Sequence, residues 1–226
     1  MNIKFLAIIV FLCSLPAISW PAGDFLARPL STHEKVAHLL SLSIPDEQRI
    51  SICFNYGCQQ RQTIQFTNED KEHIKIIFAQ SEAGRISERQ AIADAIAYME
   101  SISGKQSPVH NDRAKNFNDK GSGRMDCIDS AVNTTNYLRF ISRLGLLKKH
   151  KLIQPVYRSP FMMGQHWSAR IMELSSGRTF AVDSWASDNG QRPLIQKVSN
   201  WKTRDSEGIE SYSNQSHRNK SYLNKL

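Results

Sequence analysis

Beyond its first 19 residues the chain has no long apolar run. That excludes membrane-spanning helices from the remainder, because a span needs roughly 18 or more consecutive apolar residues. A dense basic block is also missing. The 29 Lys and Arg outnumber the 21 Asp and Glu, but they are scattered and not interleaved with aromatics, which argues against a nucleic-acid-binding surface. The resulting formal charge of +8 favours diffuse attraction to anionic partners such as cell-wall polymer or lipid headgroups. No internal repeat is visible. Cysteine is scarce, with four in 226 residues, so the fold cannot rest on a disulfide framework. At 40% hydrophobic and 22% charged, the composition is that of an ordinary folded domain.

What is present begins with a leader. "MNIKFLAIIVFLCSLPAIS" has a short positive start at Lys4 and then an apolar run below spanning length. Ala17, Ile18 and Ser19 put small residues where a signal peptidase reads. Residues 1–19 are therefore expected to be a signal peptide, with cleavage after Ser19 or Ala22. The mature chain is expected to be periplasmic or secreted, without stable membrane insertion after processing. About 200 residues remain, enough for one domain with a proper core. It is expected over 23–201, with a helical and hairpin extension at 23–84. The polar stretch 202–226 is expected to be a poorly ordered tail.

Three cysteines survive processing. "CFNYGC" holds a close pair, Cys53 and Cys58. A structural disulfide is the favoured reading in an oxidising compartment, with a redox pair or half a metal site as alternatives. An odd count leaves Cys127 over as a free thiol.

Periodicity and capping signals place the elements. Helices are predicted over 31–45, opened by Ser31 or Thr32, and over 68–81. A further helix is predicted over 87–104, where Ser87 and Gln90 have capping-box spacing and Ile92, Ala95, Ile96 and Met99 form a core stripe. "RISICFNYG" and "RQTIQFT" read as a β-hairpin outside the main core. Residues 104–123 form a long polar loop, in which His110 is assigned no role. A helix follows from 126 to about 144, then three strands, "KLIQPVYR", "HWSARIMEL" and "RTFAVDSW", the last two joined by a turn at Ser175–Gly177.

Cys127 stands at the start of the 126–144 helix. There the helix dipole and free N–H groups favour thiolate, while Asp126 and Asp129 oppose it. For the thiol to ionise readily, a histidine must help or the two aspartates must be engaged elsewhere. A nucleophilic thiol needs a base, and the base an orienting group. His166 opens one strand and Asp183 ends the next. If their hairpin loop has two or four residues, both side chains point to one face; a loop of three would separate them.

The segments "MDCIDSA", "HWSARIMEL" and "AVDSW" together resemble the transglutaminase-like branch of the papain-like cysteine enzymes, and most closely the bacterial transglutaminase-like cysteine peptidases. The matching region is about residues 120–190. The resemblance implies an α+β fold, with the nucleophile on a helix N-terminus packed against an antiparallel sheet. It implies a nucleophile at Cys127, a base at His166 and an orienting carboxylate at Asp183. Some members bind calcium through acidic residues on both sides of the cysteine. Here Ile128 follows the cysteine, a departure from that pattern, so no cofactor is expected; Asp126 and Asp129 are the residues left to supply oxygens.

Backbone N–H at the helix start is a natural oxyanion donor, with the Gln165 side chain as a second candidate, and Trp167 and Trp185 are candidate walls of the site. The expected activity is hydrolysis of an amide bond in an envelope protein or peptide. The alternatives are amide hydrolysis or acyl transfer on cell-wall peptide, and a non-catalytic envelope adaptor that keeps the fold.

Overall fold

Four helices open on the same device, in which one side chain accepts from the N3 backbone N–H while the N3 side chain reaches back to the N-cap. The computed structural model describes residues 30–84, 86–116, 119, 121–159 and 165–203. Within them the capping boxes are Ser31 with Glu34 for α1 (Thr32–Ser41) and Thr67 with Asp70 for α2 (Asn68–Glu82). Ser87 with Gln90 opens α3 (Glu88–Gln106), and Asp126 with Asp129 opens α4 (Cys127–Arg143). The expected leader, both cleavage points and residues 204–226 lie outside the described residues.

The strands form two antiparallel sheets, giving a mixed helix-and-sheet fold compatible with the α+β expectation. β1 (Arg49–Phe54) pairs with β2 (Gln60–Gln65). The larger sheet is a meander of β3 (His150–Arg158), β4 (His166–Glu173), β5 (Thr179–Asp183) and β6 (Leu194–Lys197), in that order. Pro155 sits inside a register shift of β3 between Ile153 and Val156. A residue without an N–H is tolerated there because the bulge releases it from the ladder.

α4 is the central element, packing on β1, β3, β4 and β5 and on the helices α1 and α3. Its residues from Asp129 to Leu138 are all buried. The β1–β2 hairpin is not outside the core, contrary to the sequence expectation. Ile50, Ile52 and Ile64 are within 1% of full burial and share one cluster with Phe78, Ile96, Ile141 and Val182. The reason lies in two asparagines of α4. Asn133 takes the Cys53 N–H at 2.6 Å and donates to the Cys53 carbonyl at 2.8 Å, and Asn136 donates to the Ser51 carbonyl at 3.0 Å. The free edge of β1 is thus paired to helix side chains, which removes the cost of burying it.

Two more expectations need revision. The 104–123 region is partly ordered: α3 runs on to Gln106 and a 3-10 turn spans Pro108–Asn111. The tail does not begin at Lys202, because α5 (Val198–Thr203) continues through it with Trp201 buried. No helix among the described residues is long and apolar enough to cross a membrane.

Glu88, at the start of α3, anchors the far end of the sheet. Its carboxylate accepts the N–H groups of Lys148, Lys149 and His150 at 2.8–3.0 Å, and His150 Nδ1 at 3.0 Å. Burial pushes its carboxyl up, but His150 and these N–H donors prevail and hold it below the ordinary glutamate value. Its contribution is therefore complete above the ordinary value of 4.5 and lost as pH falls beneath it. Glu88→Ala leaves several donors unmatched and is expected to cost roughly 3 kcal/mol at pH 7, with the gap to wild type shrinking toward pH 3, measured by urea unfolding. A gap independent of pH contradicts this account.

Candidate active site

The first turn of α4 sets the position of the free thiol. Asp126 Oδ1 accepts from the N–H groups of Ile128 and Asp129, both at 2.9 Å. Asp129, fully buried, returns Oδ2 to the Asp126 N–H at 3.2 Å and gives Oδ1 to the Cys58 N–H at 2.5 Å. Both aspartates beside Cys127 are thus engaged with backbone donors, the condition that the sequence left open.

The Cys58 N–H belongs to an unusual turn. Asn55, Tyr56, Gly57 and Cys58 all have φ between 61° and 66°. For the three non-glycine residues this left-handed conformation costs about 1 kcal/mol or more each. The Cys53–Cys58 disulfide closes the turn, and Asp129 gathers the backbone N–H groups of Tyr56 and Cys58. At Gly57 a Cβ would meet Lys35 Nζ at 2.6 Å, so glycine there also lets the lysine of α1 pass.

Cys127 is half-buried. Its Sγ donates to the Gln165 carbonyl at 3.7 Å, and the backbone N–H groups of Trp167 and of Cys127 itself lie beside it. The sulfur therefore rests against the residues on either side of His166. Burial pushes the thiol up to about 11, Asp126 and Asp183 push it the same way, and the N–H groups of Trp167 and Cys127 only partly offset them. The sequence-based expectation of thiolate favoured by the helix start is not met in the resting arrangement, because desolvation outweighs the dipole.

His166 and Asp183 meet. Glu173 and Arg178 pair across the hairpin through the Glu173 N–H, leaving four loop residues, Leu174–Gly177. With Ala169 opposite Val182, the even positions of β4 and odd positions of β5 share a face, as the four-residue alternative requires. His166 Nε2 lies 2.6 Å from Asp183 Oδ2, and both residues are buried. A carboxylate can only accept, so Nε2 carries the proton and Nδ1 is left as the acceptor. Nδ1 is buried and has no hydrogen-bond partner among the described residues, and the same holds for Asp183 Oδ1.

The remaining candidates separate. Gln165 reaches the thiol through its backbone carbonyl, whereas its side-chain Oε1 accepts from Thr32 Oγ1 of α1 at 3.3 Å. Trp167 offers the sulfur its backbone N–H while its ring packs away between His33 and Tyr157, at 4.7 and 5.0 Å. Trp185 stacks on His166 at 4.8 Å and donates to the Asn116 carbonyl at 3.2 Å. Cys53, Cys58 and Asp129 place potential metal-ligand atoms within 4.8 Å of one another, but the two sulfurs are bonded together. Asp126 Oδ1 and both Asp129 oxygens already face N–H donors, which does not suit a calcium ion needing six to eight oxygens.

The sequence reading missed Trp201. Its Nε1–H donates to Asp183 Oδ2 at 2.8 Å and its ring lies 5.3 Å from His166. Arg158 of β3 covers that ring at 4.3 Å and also donates to the Trp201 carbonyl. Local sequence carries no signal for this, since Trp201 follows an unremarkable polar stretch. Trp201→Phe keeps the ring and removes one charge-assisted donor, so it is expected to cost about 2 kcal/mol in urea unfolding, against 3–5 kcal/mol for Trp201→Ala. A negligible loss for Trp201→Phe beside a full loss for Trp201→Ala shows that packing alone matters there. No protein-family model, curated protein or solved structure matches this chain.

Proposed function

We propose that the protein is an exported cysteine hydrolase with a transglutaminase-like, papain-like core, cleaving an amide bond in an envelope protein or peptide. One observation carries the reading: the residue between the two backbone neighbours of the Cys127 sulfur is a histidine whose Nε2 is held by Asp183 and whose buried Nδ1 is vacant. The Cys53–Cys58 disulfide fits an oxidising compartment. The short match in residue pattern over 120–190 supplies the family.

The resting thiol is neutral and hydrogen-bonded to a carbonyl. Rotation of the sulfur toward Nδ1 exchanges that bond for one to the imidazole. As sulfur attacks the substrate carbonyl, Nδ1 takes its proton and the positive charge that forms faces Asp183. The carbonyl oxygen becomes an oxyanion at the helix start, where the Cys127 N–H is the nearest main-chain donor. The imidazolium then returns its proton to the departing amine, leaving a thioester. Water attacks the thioester through the same imidazole and releases the acid, and an amine in place of water makes the step an acyl transfer.

A binding role for the same site is favoured by a single feature, the burial that holds the thiol up at about 11. Iodoacetamide separates the readings. Cys127 of the hydrolase should be alkylated at pH 7 at least tenfold faster in wild type than in His166→Ala, whose rate should rise only as pH approaches the thiol's own value. Equal rates at pH 7 in the two proteins leave a binding protein. Cys127→Ala should in addition accumulate an uncut envelope protein in extracts, and identical extracts remove support for proteolysis.

A further inference from the structure

Glu100 is a carboxyl that the chemistry above does not use. It lies on α3, only 4% exposed, and its partners are neutral: the Gly190 N–H at 3.1 Å and the Ser184 hydroxyl. Ser184 directly follows Asp183, and its Oγ also receives the Thr134 hydroxyl of α4 at 2.8 Å. One buried group therefore ties α3, the helix that begins at Cys127, and the turn that carries Asp183 and Trp185. The contact is close: a Cβ at Gly190 would meet Ser101 Oγ of α3 at 2.8 Å.

The charges around Glu100 do not compensate it. Asp112 faces it from the segment before α4, with its own Oδ1 on the Met125 N–H at 2.8 Å. Tyr137 faces it from α4, its hydroxyl donating to Ser103 Oγ at 2.8 Å. Of the nearby cations, Arg192 pairs with Asp94 and Arg124 with Asp119, and Arg124 also pulls Asp112 down. A carboxylate enclosed this way among neutral hydrogen-bond partners is strongly disfavoured. Burial, with Asp112 adding to it, pushes Glu100 up to about 8, and burial pushes Asp112 up to about 6.

We propose that Glu100 is a positioning residue that, in its neutral form, locks the Asp183–Trp185 turn against α4, so that alkaline pH loosens the site. The proposal rests on the hydrolase reading for its functional consequence and on the buried network for its structural one. The neutral form satisfies Ser184 and Gly190 at little desolvation cost. Ionisation puts a charge opposite Asp112 in the interior, and the turn moves to hydrate it. Trp185 and Asp183 move with the turn, and the face that holds His166 is lost.

The sign of the stability effect follows from the raised value. A neutral acid favoured by the fold contributes fully below the ordinary glutamate value of 4.5; that contribution declines as pH rises to about 8 and is constant above it. Glu100→Gln is neutral at every pH. Its melting midpoint relative to wild type should therefore climb between pH 5 and pH 8 and then level off.

The site is read by the ratio of Cys127 alkylation rates, Glu100→Gln over wild type, in which the thiol's own ionisation cancels. The ratio should be near one at pH 6 and about tenfold at pH 9. A melting difference that does not change with pH overturns the buried neutral acid. A climbing difference with a ratio that stays at one overturns its action on the site. If His166→Ala alkylates like wild type, the hydrolase reading fails while the melting comparison still decides the state of Glu100. Should Glu100→Gln not fold, Ser184→Ala cuts the same link: it should match wild type at pH 9 and fall about tenfold behind at pH 6, and equal rates at both pH values overturn the proposal.

Discussion

Asp183 Oδ2 is the fixed point of the candidate site. It takes two donors in a dry interior, His166 Nε2 at 2.6 Å and Trp201 Nε1 at 2.8 Å. A buried carboxylate left short of donors is costly, whereas one holding two charge-assisted hydrogen bonds is stable and directional. The pair of bonds fixes the imidazole plane and its tautomer. It also recruits α5, because Trp201 reaches Asp183 only if that helix folds back under Arg158. The His166–Asp183 arrangement and the end of the described chain are therefore held by one oxygen atom.

The other half of the site is held by aspartates of a different kind. Asp126 and Asp129 spend their oxygens on backbone N–H groups, and Asp129 is fully buried as it does so. Burial and the neighbouring Asp126 push Asp129 up, against the N–H groups of Asp126, Cys58 and Tyr56 that pull it down. The left-handed turn at 55–58 supplies two of those donors and is itself kept in an unfavourable conformation by the disulfide and by that carboxylate. The disulfide thus does more than fasten a loop: it presents donors to the residue that caps the helix of the thiol. Burial, with Asp126 and Asp183 adding to it, pushes the thiol of Cys127 up.

Local chemistry made much of this legible in advance. The capping signals at Ser31 and Ser87, the core stripe of α3, the disulfide and the alternation of β4 and β5 are all short-range patterns, and each reappears in the fold. Their partners sit within a few residues, so the sequence can specify them. The hairpin offered two geometries, and the meeting of His166 with Asp183 was stated as the outcome of one of them.

Long-range pairing decided the rest. Burial of the β1–β2 hairpin depends on Asn133 and Asn136 meeting a strand edge some 80 residues away in the chain. The role of Trp201, the turning of Trp167 away from the sulfur and the capture of the Gln165 side chain by Thr32 have no local signature. The raised thiol is likewise a property of enclosure, which depends on everything packed around the atom and not on the residues beside it in sequence. Sequence alone determined which side chains had the chemistry and which face of each element would carry them. Only the tertiary structure decided which of them lie together, because hydrogen bonds and desolvation act between neighbours in space.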